Sequence, residues 1–181
     1  CKCDREISPG FMRTFAGFSD WTKEAMDEFA EYYEKMQKWS DTPMYFTPGM
    51  AKNHFSDEAI KKYCEDVAER LNYLYNEKNV KHIRYYCFSN EMSCNMWGVL
   101  LEDLPLFQKY HEGLFAAFQK YNLPIGLLAT DASEYENWST LDYAIEHMAS
   151  ISEDFCVHVY ERSHDIYDLN FYDFFGEKCK E

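Results

Sequence analysis

The chain predicts an α/β fold, a parallel sheet flanked by helices, and three observations lead there. Short apolar runs of strand length alternate with longer amphipathic stretches of helical period along the 181 residues. The resulting order is strand, helix, strand, repeated to a fifth strand, which calls for right-handed crossovers with helices outside the sheet. The central runs are nearly continuous in apolar character, as in strands covered on both faces. Periodicity alone leaves open whether the sheet is doubly wound or part of a closed barrel.

The first strand is read over Phe11 to Phe18. Ser19, Asp20 and Thr22 then offer caps for a helix with Ala25, Met26, Phe29, Tyr32, Tyr33, Met36 and Trp39 at threes and fours, ending near Ser40 and Asp41. That stripe, Trp39 included, is expected in the core. Pro43 to Thr47 reads as the second strand, closed by Pro48-Gly49. Ser56-Asp57-Glu58 opens a second helix reaching Glu77, with Ile60, Tyr63, Cys64, Val67, Leu71 and Leu74 inward.

The third strand is the run His82 to Ser89, which ends in Asn90-Glu91. A third helix occupies Leu106 to Tyr121, then Pro124 to Ala129 forms a strand and Thr130 to Asn137 a polar loop. A fourth helix follows Ser139, Phe155 to Tyr160 is the last strand, and Phe171 to Lys178 is expected to begin another helix. No finer repeat or linker divides the chain, so residues 1–181 read as one domain.

Composition narrows the function. Hydrophobic residues at 46% and aromatics at 18% supply one substantial core. A formal charge of −14 disfavours nucleic acid and anionic membrane as partners, since both reward a positive face. No signal-peptide pattern is visible, and no apolar run approaches the roughly 20 residues of a membrane span. The compartment stays unassigned.

The seven cysteines, at 1, 3, 64, 87, 94, 156 and 179, are odd in number and scattered. They read as mostly free thiols, mildly favouring a reducing compartment. Cys87 and Cys156, inside strands, read as small hydrophobes. Cys1-Lys2-Cys3 lacks a nearby His or second Cys pair, so no metal is expected. Gly17 and Gly49 stand alone and no Gly-x-x-x-x-Gly-Lys occurs, so no nucleotide cofactor is expected either.

Asn90-Glu91 is the most informative pair, because it sets a carboxylate where a buried strand meets a mouth. Ligands gather at the carboxyl ends of strands in such sheets. A glutamic acid held there among apolar neighbours can deliver a proton to a leaving group.

With Tyr85-Tyr86-Cys87-Phe88-Ser89 before it, Asn90-Glu91 resembles the fourth strand end of the retaining glycoside hydrolases of clan A. These are (β/α)8 TIM-barrel enzymes, and the likeness is nearest to the β-xylosidase and α-L-iduronidase branch. It runs from Phe11 to Tyr160. The fifth strand is similar over Ile125 to Ala129 with the turn Thr130-Asp131-Ala132-Ser133 and Trp138, and the sixth over Asp154 to Tyr160 with its His158-x-Tyr160 pair. Met92 stands where family members usually carry proline.

The resemblance implies a partial barrel, strands two to six, since a whole one needs roughly 250 residues. Together with the start at Cys1 and the end at Glu181, it reads as a piece of a longer protein. It implies hydrolysis of O-glycosidic bonds in polysaccharides or oligosaccharides with Glu91 as general acid/base and Asn90 on a sugar hydroxyl. It further implies that His158 and Tyr160 orient the sugar or the nucleophile, and that Arg13 is an active-site arginine on the second strand. The nucleophile, a second Glu, is expected beyond the C-terminus. Asp165, Asp168 and Asp173 are weaker candidates for a second carboxylate.

Trp21, Trp97 and Trp138 are candidate platforms for sugar faces. A non-catalytic carbohydrate-binding barrel fragment is the alternative. The incomplete barrel is also expected to self-associate through its open sheet edges.

Overall fold

Alternating strand and helix signals fold into five parallel strands joined by four helices. The strands are β1 (Met12–Phe15), β2 (Met44–Thr47), β3 (Ile83–Cys87), β4 (Gly126–Ala132) and β5 (Asp154–Val157). The helices are α1 (Lys23–Gln37), α2 (Asp57–Asn72), α3 (Leu104–Lys120) and α4 (Ser139–Met148). A wider π-helical turn, Tyr73–Glu77, prolongs α2, and a 3-10 turn, Ala149–Ile151, follows α4. The computed structural model describes residues 10–16, 21–47, 56–91, 104–132 and 139–158, with 173, 176, 177 and 180.

Strand order decides between the two windings left open by periodicity. The order is β1-β2-β3-β4-β5, every neighbouring pair parallel. A doubly wound sheet reverses its order at a switch point, and this one never does. Right-handed crossovers then carry all four helices to one face, as in a barrel wall.

The helix-facing layer is the main core. Met44, Phe46, Ile83, Tyr86, Phe88, Leu127 and Ala129 from the strands meet Tyr33, Ile60, Tyr63, Cys64, Val67, Leu71, Leu74, Phe107, Tyr110, Leu114 and Phe118. The second helix reads correctly from its spacing, since all six of its predicted core residues are buried. On the first helix Met26 and Tyr33 are buried, while Tyr32 and Trp39 are 65% and 57% exposed. The expectation of a buried Trp39 is corrected: it follows the last turn of α1, beyond the reach of the sheet.

Local chemistry sets the helix ends. Thr22 Oγ1 accepts from the Ala25 N–H at 3.2 Å and Ser56 Oγ from the Ala59 N–H at 3.1 Å, satisfying first-turn donors. Helix α3 stops at Asn122, whose φ of 52° lies in the left-handed region. The Leu123 N–H donates to the Phe118 carbonyl and the Asn122 N–H to that of Gln119, the paired bonds of a Schellman motif.

The opposite sheet face carries Phe11, Arg13, Tyr45, Tyr85, Cys87, Leu128 and Cys156. Tyr45, Cys87 and Leu128 are buried among Tyr85 and Cys156. Phe11 and Phe15, at 56% and 59% exposed, remain open to water.

One strand end differs notably from the sequence reading. Strand β4 runs on through Thr130, Asp131 and Ala132, residues expected in a loop, because β5 continues to pair beside them with a register shift at that point. The apolar pattern lapses there because the face turns polar, not because the strand ends. Of the helix expected over 171–178, Asp173, Gly176 and Glu177 are described and are helical.

Candidate active site

Above the last ladder bonds the strand ends are tied by side chains. Thr47 Oγ1 donates to the Ser89 carbonyl at 2.9 Å, and Ser89 Oγ to the Thr130 carbonyl at 2.8 Å. Both bonds are buried, so the carboxyl ends of β2, β3 and β4 are held together where backbone pairing stops. Asn90 and Glu91 leave β3 directly above this layer. Glu91 takes φ 52° and Asp131 φ 58°, left-handed values uncommon outside glycine and easier for Asp than for Glu.

One or two side chains from each strand meet at this mouth: Arg13 (β1), Tyr45 (β2), Asn90 and Glu91 (after β3), Asp131 (β4), and Cys156 and His158 (at and after β5). Asp131, whose side chain is 1% exposed, is the centre. Its Oδ2 accepts from Arg13 Nη2 at 2.8 Å and from the Glu91 N–H at 3.2 Å. Its Oδ1 accepts from Tyr45 Oη at 3.1 Å and His158 Nε2 at 2.8 Å, with the Cys156 thiol at 3.6 Å. Arg13 Nη2 also reaches Asn90 Oδ1 at 2.5 Å. On the other side of the imidazole, His158 Nδ1 lies 3.1 Å from Glu91 Oε1.

The proton on His158 follows from its neighbours. An ionised carboxylate only accepts, so Nε2 carries hydrogen toward Asp131. Arg13 Nη1, 2.9 Å from the same Nε2, therefore cannot donate to it and acts as a nearby like charge. The Asp131 hydrogen bond is the main cause of a His158 pKa raised above its ordinary value; the Asp131 charge and the Glu91 hydrogen bond add to it, against burial and the charge of Arg13. Burial pushes the Asp131 carboxyl up, but the His158 hydrogen bond, the His158 and Arg13 charges and the Glu91 N–H outweigh it and hold its pKa low. Burial is the main cause that drives the Tyr45 hydroxyl well up, and the Asp131 carboxylate adds to it against Arg13, so it stays a neutral donor.

Cys87, Asp131 and Cys156 bring donor atoms within 4.8 Å of one another, close enough for a cation. Asp131 is already neutralised by Arg13 and saturated with donors, and a metal there would meet the guanidinium. We read the thiols as packing beside a satisfied carboxylate. A cavity of about 520 Å³ between α2 and α3, lined by Ile60, Cys64, Lys109 and Gly113, includes none of the mouth residues.

The chain superposes on the catalytic domain of the GH30 xylanase C from Talaromyces cellulolyticus with TM-score 0.55 and 11% identity, over 72% of this chain and 36% of that one. The fold is that of a partial TIM barrel. At this identity the likeness concerns the fold, and the chain spans about a third of that domain's length, 36%. No protein-family model matches the chain, and no curated protein matches it.

Arg13, Asn90, Glu91 and His158, chosen from sequence, thus lie in one hydrogen-bonded cluster. Trp21 does not join it by any described contact: its ring packs on Phe29 at 5.4 Å and against the helix-side core, and its carbonyl accepts from Arg70. Trp97, Trp138, Tyr160, Asp165 and Asp168 lie outside the described residues, as do Cys1, Cys3, Cys94 and Cys179. Asp173 is described and exposed.

Asp131 is the residue that sequence reasoning placed in a turn and gave no role. A signal was present: Leu127-Leu128-Ala129-Thr130-Asp131 is an apolar run ending in an acid, the same pattern that drew attention to Glu91.

Proposed function

We propose that this chain carries the acid/base side of a retaining O-glycoside hydrolase site that acts on polysaccharides or oligosaccharides. The observation that carries the reading is Glu91 at the carboxyl end of the central strand, partly open at 14% side-chain exposure, with His158 against its carboxylate. The barrel-type winding and its likeness to a xylanase catalytic domain support it at the level of fold.

In this reading Glu91 protonates the glycosidic oxygen, then as a carboxylate accepts the proton of the water that releases the sugar. Asn90 has its carbonyl oxygen on Arg13, so its amide N–H groups are what it offers a sugar hydroxyl. Asp131 cannot be the nucleophile, because its oxygens are filled by Arg13, Tyr45, His158 and the Glu91 N–H. The nucleophile, a second Glu, belongs outside this chain, and Trp97, Trp138 and Tyr160 complete the sugar site.

The test is Glu91→Gln in a protein carrying this chain. Hydrolysis of glycosides with poor leaving groups is expected to fall about 10²- to 10⁴-fold, and that of activated aryl glycosides much less. Equal loss on both would remove the acid role.

A second reading, a carbohydrate-binding barrel without turnover, draws on the closed state of Asp131, the acid beside Glu91. It predicts oligosaccharide binding by calorimetry with no hydrolysis in either form.

A further inference from the structure

Glu91 does not face substrate alone, and the group behind it is itself held from behind. The imidazole of His158 is gripped at both nitrogens by carboxylates from two other strands, Asp131 Oδ1 at 2.8 Å on Nε2 and Glu91 Oε1 at 3.1 Å on Nδ1. The two carboxylates are not equivalent. Asp131 is buried, multiply hydrogen-bonded and paired with Arg13, whereas Glu91 is partly open. A buried acid that only accepts fixes which nitrogen keeps its hydrogen, the same logic by which an acid behind a histidine sets its tautomer in hydrolytic triads.

We infer that Asp131 is a positioning residue that locks hydrogen on Nε2 of His158 and so dedicates Nδ1 to exchanging a proton with Glu91. This rests on the reading of Glu91 as an acid/base. The exchange is balanced: the proton on Nδ1 moves to Glu91 Oε1, the N–H electron pair stays on the ring as the Nδ1 lone pair, and Nε2–H stays on Asp131. Glu91 and His158 thereby share one proton across the 3.1 Å contact. Among the described residues, Arg13 from β1 also reaches the ring, and Tyr45 from β2, Cys156 from β5 and Cys87 of β3 cluster around Asp131 behind it. Besides Asp131, only Arg13 among these is charged, and it opposes protonation of His158.

The bulged end of β4 gives this role a structural origin. The register against β5 shifts between Thr130 and Ala132, with Asp131 at positive φ between them. The turned backbone brings the carboxylate back over Tyr45 and Arg13 when strict alternation would have to choose one face.

The test is nitrogen NMR of the histidine rings across a pH series on the whole chain, with His158→Gln identifying the His158 signal among six histidines. The expected wild-type result is a midpoint above 6.5, the ordinary imidazole value, and a neutral form protonated on Nε2. Asp131→Asn should drop the midpoint toward or below that value and abolish the tautomer preference. Glu91→Gln should keep hydrogen on Nε2.

A wild-type neutral form protonated on Nδ1, or a midpoint at or below 6.5, would overturn the proposal even if Asp131→Asn failed to fold. So would an unchanged tautomer in a folded Asp131→Asn, or a switch in Glu91→Gln. None of these readings involves sugar, so they fail independently of the hydrolysis assay on Glu91→Gln.

Discussion

A buried and a half-buried histidine give the protein opposite pH sensitivities. His111 is fully buried on α3, its Nε2 2.9 Å from the Ser152 hydroxyl, and burial lowers its pKa to about 4. The unfolded chain then binds the extra proton first. Stability is intact above the unfolded value near 6.5 and falls as pH drops toward 4, by about 3 kcal/mol in all. His158 runs the other way: its raised pKa stabilises the fold below 6.5, and that contribution fades as pH rises through the folded midpoint. Urea unfolding at pH 7, 5.5 and 4 should show the acid loss, and His111→Gln should remove most of it. An acid limb unchanged in His111→Gln would mean that carboxylates dominate.

Helix packing supplies a sharper test at the level of the element. Gly113 of α3 approaches α2 so closely that an added Cβ would lie 2.8 Å from Cys64 Sγ. Cys64 is buried, donates to the Tyr110 carbonyl at 3.5 Å, and burial pushes its thiol up to about 12, so it is fixed and unreactive. Gly113→Ala gains about 1 kcal/mol of helix propensity but overpacks by about 1 to 3 kcal/mol, a net loss. Cys64→Ala in the same chain should recover part of it, a coupling that thermal melts of both singles and the double would reveal. The spacing of α2 announced all its core positions, whereas no periodicity announces that a glycine stands opposite a sulfur.

At the scale of the whole molecule, the described sheet is a barrel wall whose inner face is buried around Tyr45, Cys87 and Leu128 and exposed at Phe11 and Phe15. Among the described residues nothing pairs with the outer edge of β1 or β5, and Phe11 and Phe15 are more than half exposed beside that edge, at 56% and 59%. We expect concentration-dependent self-association of the isolated chain, or marginal stability as a monomer. Sedimentation velocity over a hundredfold range of concentration checks this, and a monomer with a cooperative melt at high temperature would refute it. The charge of −14 opposes association, so added salt should strengthen it.

The α/β class, the element order, two helix N-caps and the inward faces of α2 were all legible in the sequence, because each is set by local spacing or by one side chain and its own turn. Asn90 and Glu91 drew attention as polar groups just beyond an apolar strand, whereas Arg13 and His158 came only from the resemblance; the structure brings all four into one hydrogen-bonded cluster. Tertiary structure alone decided the winding, because periodicity is the same for a sheet that reverses order and one that does not. It also brought Asp131 to the centre of the site. That carboxylate acts through partners 118, 86 and 27 residues away in sequence, Arg13, Tyr45 and His158, and its role exists only once five strands converge.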